Sequence, residues 1–513
     1  MVWNRLRSRR EALQACTLAA LIAALFGFYA TGLSDIDVWW HLASGRSISQ
    51  TGSLPQGDPF FMYPVTGDMR QEIILQGAWL GQYLFYLIFR SFGSWGIIVM
   101  KALVLSACLL VAYRRSRLAG AGSVPSLLII ALSGLTLTHF TGERPQLLAF
   151  LIASVVLFIL DRQETIGKNW HLYLVPPLML LWANCHGSAP LGAVLLTLYG
   201  AGHIAETTGS RSRGALSPRL LIVLGIAIAC TLLTPTGVKS YLYLLQLEGS
   251  ELQGRTSEYR TPIQVALHLG RFAPSYWMLV VLAAGSAVLL LRDRRWKGSA
   301  TVIFLAAISL MGWRYIPFFV LLAAPFLAVA AQRLAARVPE PSPLVYGAVI
   351  IVCSGVLLTG IVRGTAFSRS IEAGRFPARI VDAAGTLNLS GRAFNSLDWG
   401  GYILWRLYPT VRPYVDGRVL DFNVLVRYTH MLWATEAGIR FFDEEQFDLV
   451  MLPRANALTG EVYPLPRRLL GDREWSLLFE DAQGFLFRRN RAGSLQSMRQ
   501  EQRGQREQAS HYC

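Results

Sequence analysis

Apolar residues in this chain come in long runs rather than in strict alternation. From residue 13 to residue 363, stretches of Leu, Ile, Val, Ala and Phe recur, separated by short polar segments rich in Gly, Pro and Arg. Most of these runs approach the roughly 20 residues that a helix needs to cross a hydrocarbon core. The pattern predicts spans over 13–33, 95–113, 125–142, 147–161, 171–185, 189–206, 219–235, 275–292, 298–312, 316–335 and 343–363, about eleven crossings. Segment 76–92 is also apolar enough to cross, but a crossing there would invert everything downstream, so it is expected to be re-entrant or interfacial.

From Thr365 the pattern changes. Short β-rich runs at 411–415, 447–452 and 476–479 alternate with amphipathic stretches at 371–384 and 424–437, as in a small α/β domain. After Ala492 the chain is dominated by Gln, Arg, Ser and Glu, with too little apolar surface to pack, and a disordered tail is expected. The expected organisation is a transmembrane domain over 1–364 with a first external loop at 34–94, a soluble extracytoplasmic α/β domain over 365–491, and a tail over 492–513.

Composition supports a membrane protein: of 513 residues 53% are hydrophobic and 16% charged, with a mean hydropathy of +0.38. The net charge of +16 does not imply nucleic acid, because the basic residues cluster beside apolar runs at 5–10, 114–117, 211–219 and 292–297 and at Arg333 with Arg337. Such clusters mark cytoplasmic span ends. They place the N-terminus in the cytoplasm and the C-terminal domain outside. No small-residue cleavage site follows the first run, so it is expected to stay as an anchor. The six cysteines show no zinc-site or disulfide spacing, and Walker, HExxH, GxSxG and Rossmann motifs are missing.

This threading gathers the polar motifs on the non-cytoplasmic side. Asp35 and Asp37 end the first span, and two carboxylates so close at a bilayer surface repel and desolvate each other unless a metal, a sugar hydroxyl or a proton uses them. They are the catalytic candidates. His41 lies four residues after Asp37, one helical turn, which suits a metal site holding Mg or Mn. Trp40 and Asp58 lie in the same loop. Glu143 and Arg144 end another span, and the forked guanidinium of Arg144 suits a phosphate. His186 precedes Gly187 at a boundary, Glu258 and Arg260 lie in a loop too long to be a mere connector, and Arg314 follows Trp313 at a span end. Each has a plainer alternative: aromatic belts, solvated caps, turn formers or snorkelling cations.

The runs from Asp35 to Leu42, Arg144 to Gln146, Trp182 to Gly187, Trp399 to Tyr402 and Val415 to Arg418 resemble a bacterial branch of the GT-C superfamily of integral-membrane glycosyltransferases. The resemblance implies a GT-C-like α-helical bundle and transfer of a sugar from a polyprenyl-phosphate-linked donor to a glycan, lipid or protein acceptor in the cell envelope. It puts a base or metal-holding role on Asp35 or Asp37, and implies location in the bacterial inner membrane. The Trp-Trp-Asp element of oligosaccharyltransferases is missing, which disfavours en-bloc transfer to asparagine. Rival functions are a transporter or flippase of a lipid-linked or anionic substrate, or a non-catalytic assembly scaffold. A transporter predicts charges in mid-membrane, and the apolar runs hold few besides His139.

Overall fold

The computed structural model describes residues 2–60, 62, 69–166, 170–208, 217–247, 257–336, 341–363, 375–456 and 459–490. The expected tail, Arg337 and most of the 211–219 cluster lie outside them. The chain forms two compact units, one made of Met1–Asp35, Ser44–Leu54 and Glu72–Ile371, the other of Ile36–Ala43, Pro55–Gln71 and Glu372–Cys513. Two stretches of the expected first external loop thus belong with the second unit.

The first unit is helical, and each of the eleven expected spans meets a helix, from Val2–Tyr29 to Pro343–Val362. Among the described residues, five helices are long and apolar enough to cross a membrane, or six with the bent pair Trp313–Leu322 and Ala324–Leu334 counted as one. This is fewer than eleven because several expected spans shorten. Pro176 and Pro177 open the 11-residue helix Val175–Cys185 after a separate 3-10 turn, and Ser123–Leu137, Pro218–Cys230 and Trp296–Met311 stop at 13–16 residues. Proline lacks the N–H that helix continuation requires, so such starts stand at first turns.

Helix Trp79–Leu118 is broken at Gly93 (φ 61°, ψ −156°), a conformation that residues with a Cβ essentially do not adopt. Before the break, Gly81 packs against Pro145 and the Cys185 carbonyl. After it, the Lys101 ammonium bonds Glu143. Both arms therefore meet the same 143–145 turn.

The second unit carries a five-stranded sheet of Gly391–Asn395 (β1), Val411–Pro413 (β2), Leu449–Pro453 (β3), Trp475–Glu480 (β4) and Gly484–Arg489 (β5), in the order β2-β1-β3-β5-β4. β1 pairs in parallel with β2 and β3, β5 antiparallel with β3 and β4. Helices such as Leu397–Leu407 and Phe422–Leu432 cover it, over a core including Phe394, Tyr414, Met431, Phe447 and Phe487. Strand β3 is buried along nearly its whole length, as its unbroken apolar run Leu-Val-Met-Leu requires of a central strand.

Candidate functional site

In the first unit, four short connections converge on one polar cluster: the end of the first helix, the 142–145 turn, the 186–188 turn and the 258–260 segment. Asp35 accepts two bonds from Arg144, from Nε at 2.7 Å and Nη2 at 3.2 Å. The fork geometry makes this pair stronger and more directional than a single contact. The other guanidinium nitrogen of Arg144 bonds the Glu258 carboxylate. Gly142 lies so close to the Asp35 carboxylate that a Cβ there would collide with it.

Glu143 is fully buried and holds the backbone beneath Asp35. Its Oε2 accepts the N–H groups of Asp35 (2.9 Å) and Ser34 (3.2 Å), and its other oxygen accepts from Lys101. Lys101 is equally buried and donates as well to the Thr31 carbonyl at 3.3 Å. Burial pushes the Glu143 carboxyl up and the Asp35 charge adds to this, while Lys101 opposes both. Glu143 thus fixes where Asp35 stands. Lys101, unnoticed from sequence, had a visible signal: it is a lone cation inside an otherwise apolar run.

His186 accepts at Nδ1 from the Ser188 N–H (3.1 Å), and the Ser188 hydroxyl, 2.9 Å away, receives the Trp182 indole N–H. With Nδ1 accepting, the ring proton of the neutral form sits on Nε2. Burial above all, then Arg314 and Arg144, pushes the His186 pKa down to about 3. The side chain is a neutral donor beside two cations. Arg314 stacks over the Tyr259 ring (4.7 Å), and the Arg260 carbonyl accepts the Trp313 N–H (2.9 Å), tying the loop to this end of the bundle. Asn184 is structural: its amide receives the Trp79 indole N–H and donates to the Leu180 and Leu233 carbonyls.

The remaining candidates lie in the second unit. Asp37 packs against Gly417, whose missing side chain leaves room for the Asp37 carboxylate. Trp40 and His41 are buried, with ring centroids 3.6 Å apart. The Asp58 side chain is fully buried and its Oδ1 accepts from Arg418 Nη1 at 2.9 Å, while Arg418 Nε donates to both Asp416 carboxylate oxygens, at 2.9 and 3.1 Å. Burial alone would lower the Arg418 pKa, but Asp416 and Asp58 outweigh it and raise it. Arg70 donates to the Arg418 and Val419 carbonyls. Val419 has φ +45°, a strained setting for a β-branched residue. Trp39, with Phe376 and Tyr402, forms a buried aromatic cluster.

For the expected metal, Asp37 and His41 bring two donors. Among the described residues no group of three or more His, Cys, Asp or Glu side chains gathers to hold an ion.

No protein-family model and no curated protein matches the chain. Solved structures do. The apo oligosaccharyltransferase of Archaeoglobus fulgidus superposes with a TM-score of 0.56 at 10% identity, over 85% of this chain and 69% of the other. The same archaeal enzyme in complex with an inhibitory peptide and a dolichol-phosphate gives 0.53 at 10% identity, over 85% and 69%. Its complex with Zn and sulfate gives 0.53 at 10% identity, over 92% and 73%. At such identity the likeness is one of fold, shared with the archaeal oligosaccharyltransferase. A mostly helical chain with a small sheet fits the expected fold, the count of about eleven spans excepted, and its apolar helices make it a multi-pass membrane protein.

Proposed function

We propose that this protein is a GT-C-type glycosyltransferase that moves a sugar from a polyprenyl-phosphate-linked donor to an extracytoplasmic glycan, lipid or protein. One observation carries the proposal: at the helix ends of a GT-C fold, Asp35 stands in a cluster whose donors, Arg144, Arg314 and the Nε2–H of His186, suit a phosphate. Dolichol-phosphate bound to the archaeal oligosaccharyltransferase supports a lipid phosphate as ligand of this fold.

In the proposed reaction Asp35 takes the proton of the acceptor hydroxyl as that oxygen attacks the anomeric carbon. The bond from that carbon to the phosphate oxygen breaks, and the lipid phosphate leaves with the electron pair toward Arg144 and Arg314. Fixed cations aimed at a developing charge stabilise it without reorganising. Asp35 is assigned the base role, rather than Asp37, because Asp35 shares its cluster with these donors. Glu143 positions the 34–35 backbone, and Glu258 orients Arg144. Asp58 is assigned to holding Arg418.

The test is Asp35→Asn in membranes from cells that make the protein, scored for the glycan or glycoprotein product at equal protein level. The proposal expects a drop of about 100-fold or more, the scale of a lost general base. Wild-type product from a properly inserted Asp35→Asn protein would refute it and favour a scaffold.

A further inference from the structure

The turn that carries His186 holds a chain of hydrogen bonds with a definite direction. The Trp182 indole N–H lies 2.9 Å from the Ser188 hydroxyl oxygen, and an indole nitrogen only donates, so the hydroxyl accepts there. Its own hydrogen is left for His186 Nδ1, 2.9 Å away, and the Ser188 N–H donates to the same nitrogen at 3.1 Å. Two donors aimed at Nδ1 leave the single proton of the neutral ring on Nε2. Ser188 departs from its usual role to do this. It stands immediately before helix Ala189–Thr208, where a serine hydroxyl ordinarily accepts a first-turn N–H, yet the Leu191 N–H bonds the Ser188 carbonyl and the hydroxyl turns back toward Trp182 and His186. The indole is held just as firmly: Trp182 is buried, stacks on Phe318 with ring centroids 6.0 Å apart, and fills space that Gly192 leaves by lacking a Cβ. On the other side of the imidazole, Nε2 bonds no described residue and is not among the sealed atoms that lack a partner, so it is open to a ligand.

We propose that Trp182 and Ser188 are positioning residues for the donor's phosphate: they hold the His186 ring with its Nε2–H outward, ready to bond an oxygen of the phosphate that Arg144 and Arg314 attract. The inference rests on the glycosyl-transfer function above. Burial and the two neighbouring guanidinium groups keep the ring uncharged. Its use to an anion therefore depends wholly on which nitrogen carries the proton. With the proton on Nδ1, the Nε2 lone pair would face the phosphate oxygens and repel them. The relay disfavours that form, and each bond donated toward Nδ1 polarises the ring and makes Nε2–H a stronger donor. The same geometry accounts for the spacing within the Trp182 to Gly187 run. Trp182 lies one helical turn before His186, its carbonyl accepting the His186 N–H at 3.0 Å, which brings the indole under the turn that follows.

The experiment uses the full-length protein in nanodiscs, isotope-labelled at the histidine ring nitrogens and read by solid-state NMR, with the His186 signals identified by their loss in His186→Gln. Undecaprenyl phosphate is the probe, undecaprenol controls for the lipid tail, and inorganic phosphate tests whether the headgroup alone suffices. The wild-type protein should show His186 protonated at Nε2 and bare at Nδ1, and undecaprenyl phosphate, unlike undecaprenol, should shift the Nε2 signal. Ser188→Ala, Trp182→Phe and the double variant should each bind undecaprenyl phosphate about three- to tenfold more weakly, the scale of one hydrogen bond, because both residues act through one relay. Ser188→Thr, which keeps the hydroxyl, should restore binding, and melting temperatures verify that each variant is folded. A wild-type His186 protonated at Nδ1, or full-strength binding by a folded Ser188→Ala protein, overturns the positioning role and leaves the glycosyltransferase proposal standing. No binding of undecaprenyl phosphate to the wild type overturns both. A shift with inorganic phosphate alone keeps the role but assigns it to any phosphate.

Discussion

At the scale of single residues, charge placed in apolar surroundings is the main theme. His186 is neutral in the folded protein, its pKa down at about 3, while the unfolded chain protonates near the ordinary value of about 6.5. Between those values the unfolded state binds the extra proton. This contribution to stability is complete above pH 6.5 and is lost as the pH falls toward 3. His186→Gln should flatten that loss, and melting temperatures of both proteins between pH 7 and pH 4.5 check it. Arg418 gives a second case. Replacing it by Met strands Asp58 and Asp416, two buried carboxylates, and breaking a buried pair costs about 3–5 kcal/mol. The Arg418→Met protein should therefore expose the second unit to limited proteolysis, and an unchanged digestion pattern would contradict the account. Asp35, Arg144 and His186 were readable as candidates because they interrupt apolar runs. Asp58 read equally well as a turn former before proline, and only its burial on Arg418, 360 positions away, shows its employment.

At the scale of elements, Gly93 decides where a helix goes. Segment 76–92 is apolar enough to cross, and local periodicity could not say whether it does. Gly93→Ala puts a Cβ on a backbone that disfavours it by about 1–3 kcal/mol. Lower thermal stability, with helix content by circular dichroism little changed, is the expected result. Lys101 and Arg115 stand in the later arm of this helix, about 21 Å apart along its axis at 1.5 Å per residue. Lys101 pairs with Glu143 and Arg115 with Asp161, so each cation is neutralised near a helix end rather than at mid-span. Lys101 thus adds charge within an apolar run, but its placement differs from a midplane transport site. The spans marked by proline, such as Val175–Cys185, came out shorter than hydropathy suggested, because a window average passes over a broken first turn.

At the scale of the whole molecule, the orientation drawn from basic clusters can be tested directly. A periplasmically active phosphatase fused after Arg489 should be active, and one fused after Arg117 inactive, in intact bacterial cells. The reverse pattern would place the Asp35 cluster in the cytoplasm and remove the lipid-linked donor proposal. The fold match to an oligosaccharyltransferase leaves the acceptor open, since the Trp-Trp-Asp element is missing here.

Sequence by itself determined the medium and the class of elements. Runs of apolar residues demand helices in lipid, where every backbone group must be bonded within its segment, and the switch after residue 365 marks an α/β unit. Both follow from composition within a short window. Tertiary structure alone decided the partners: that Asp35 faces Arg144, that Glu143 is bonded to Lys101, and that pieces of the first loop belong with the second unit. Those are pairings across tens to hundreds of residues, set by how helix ends and strands converge, and a one-dimensional pattern carries no record of which distant charge will neutralise which.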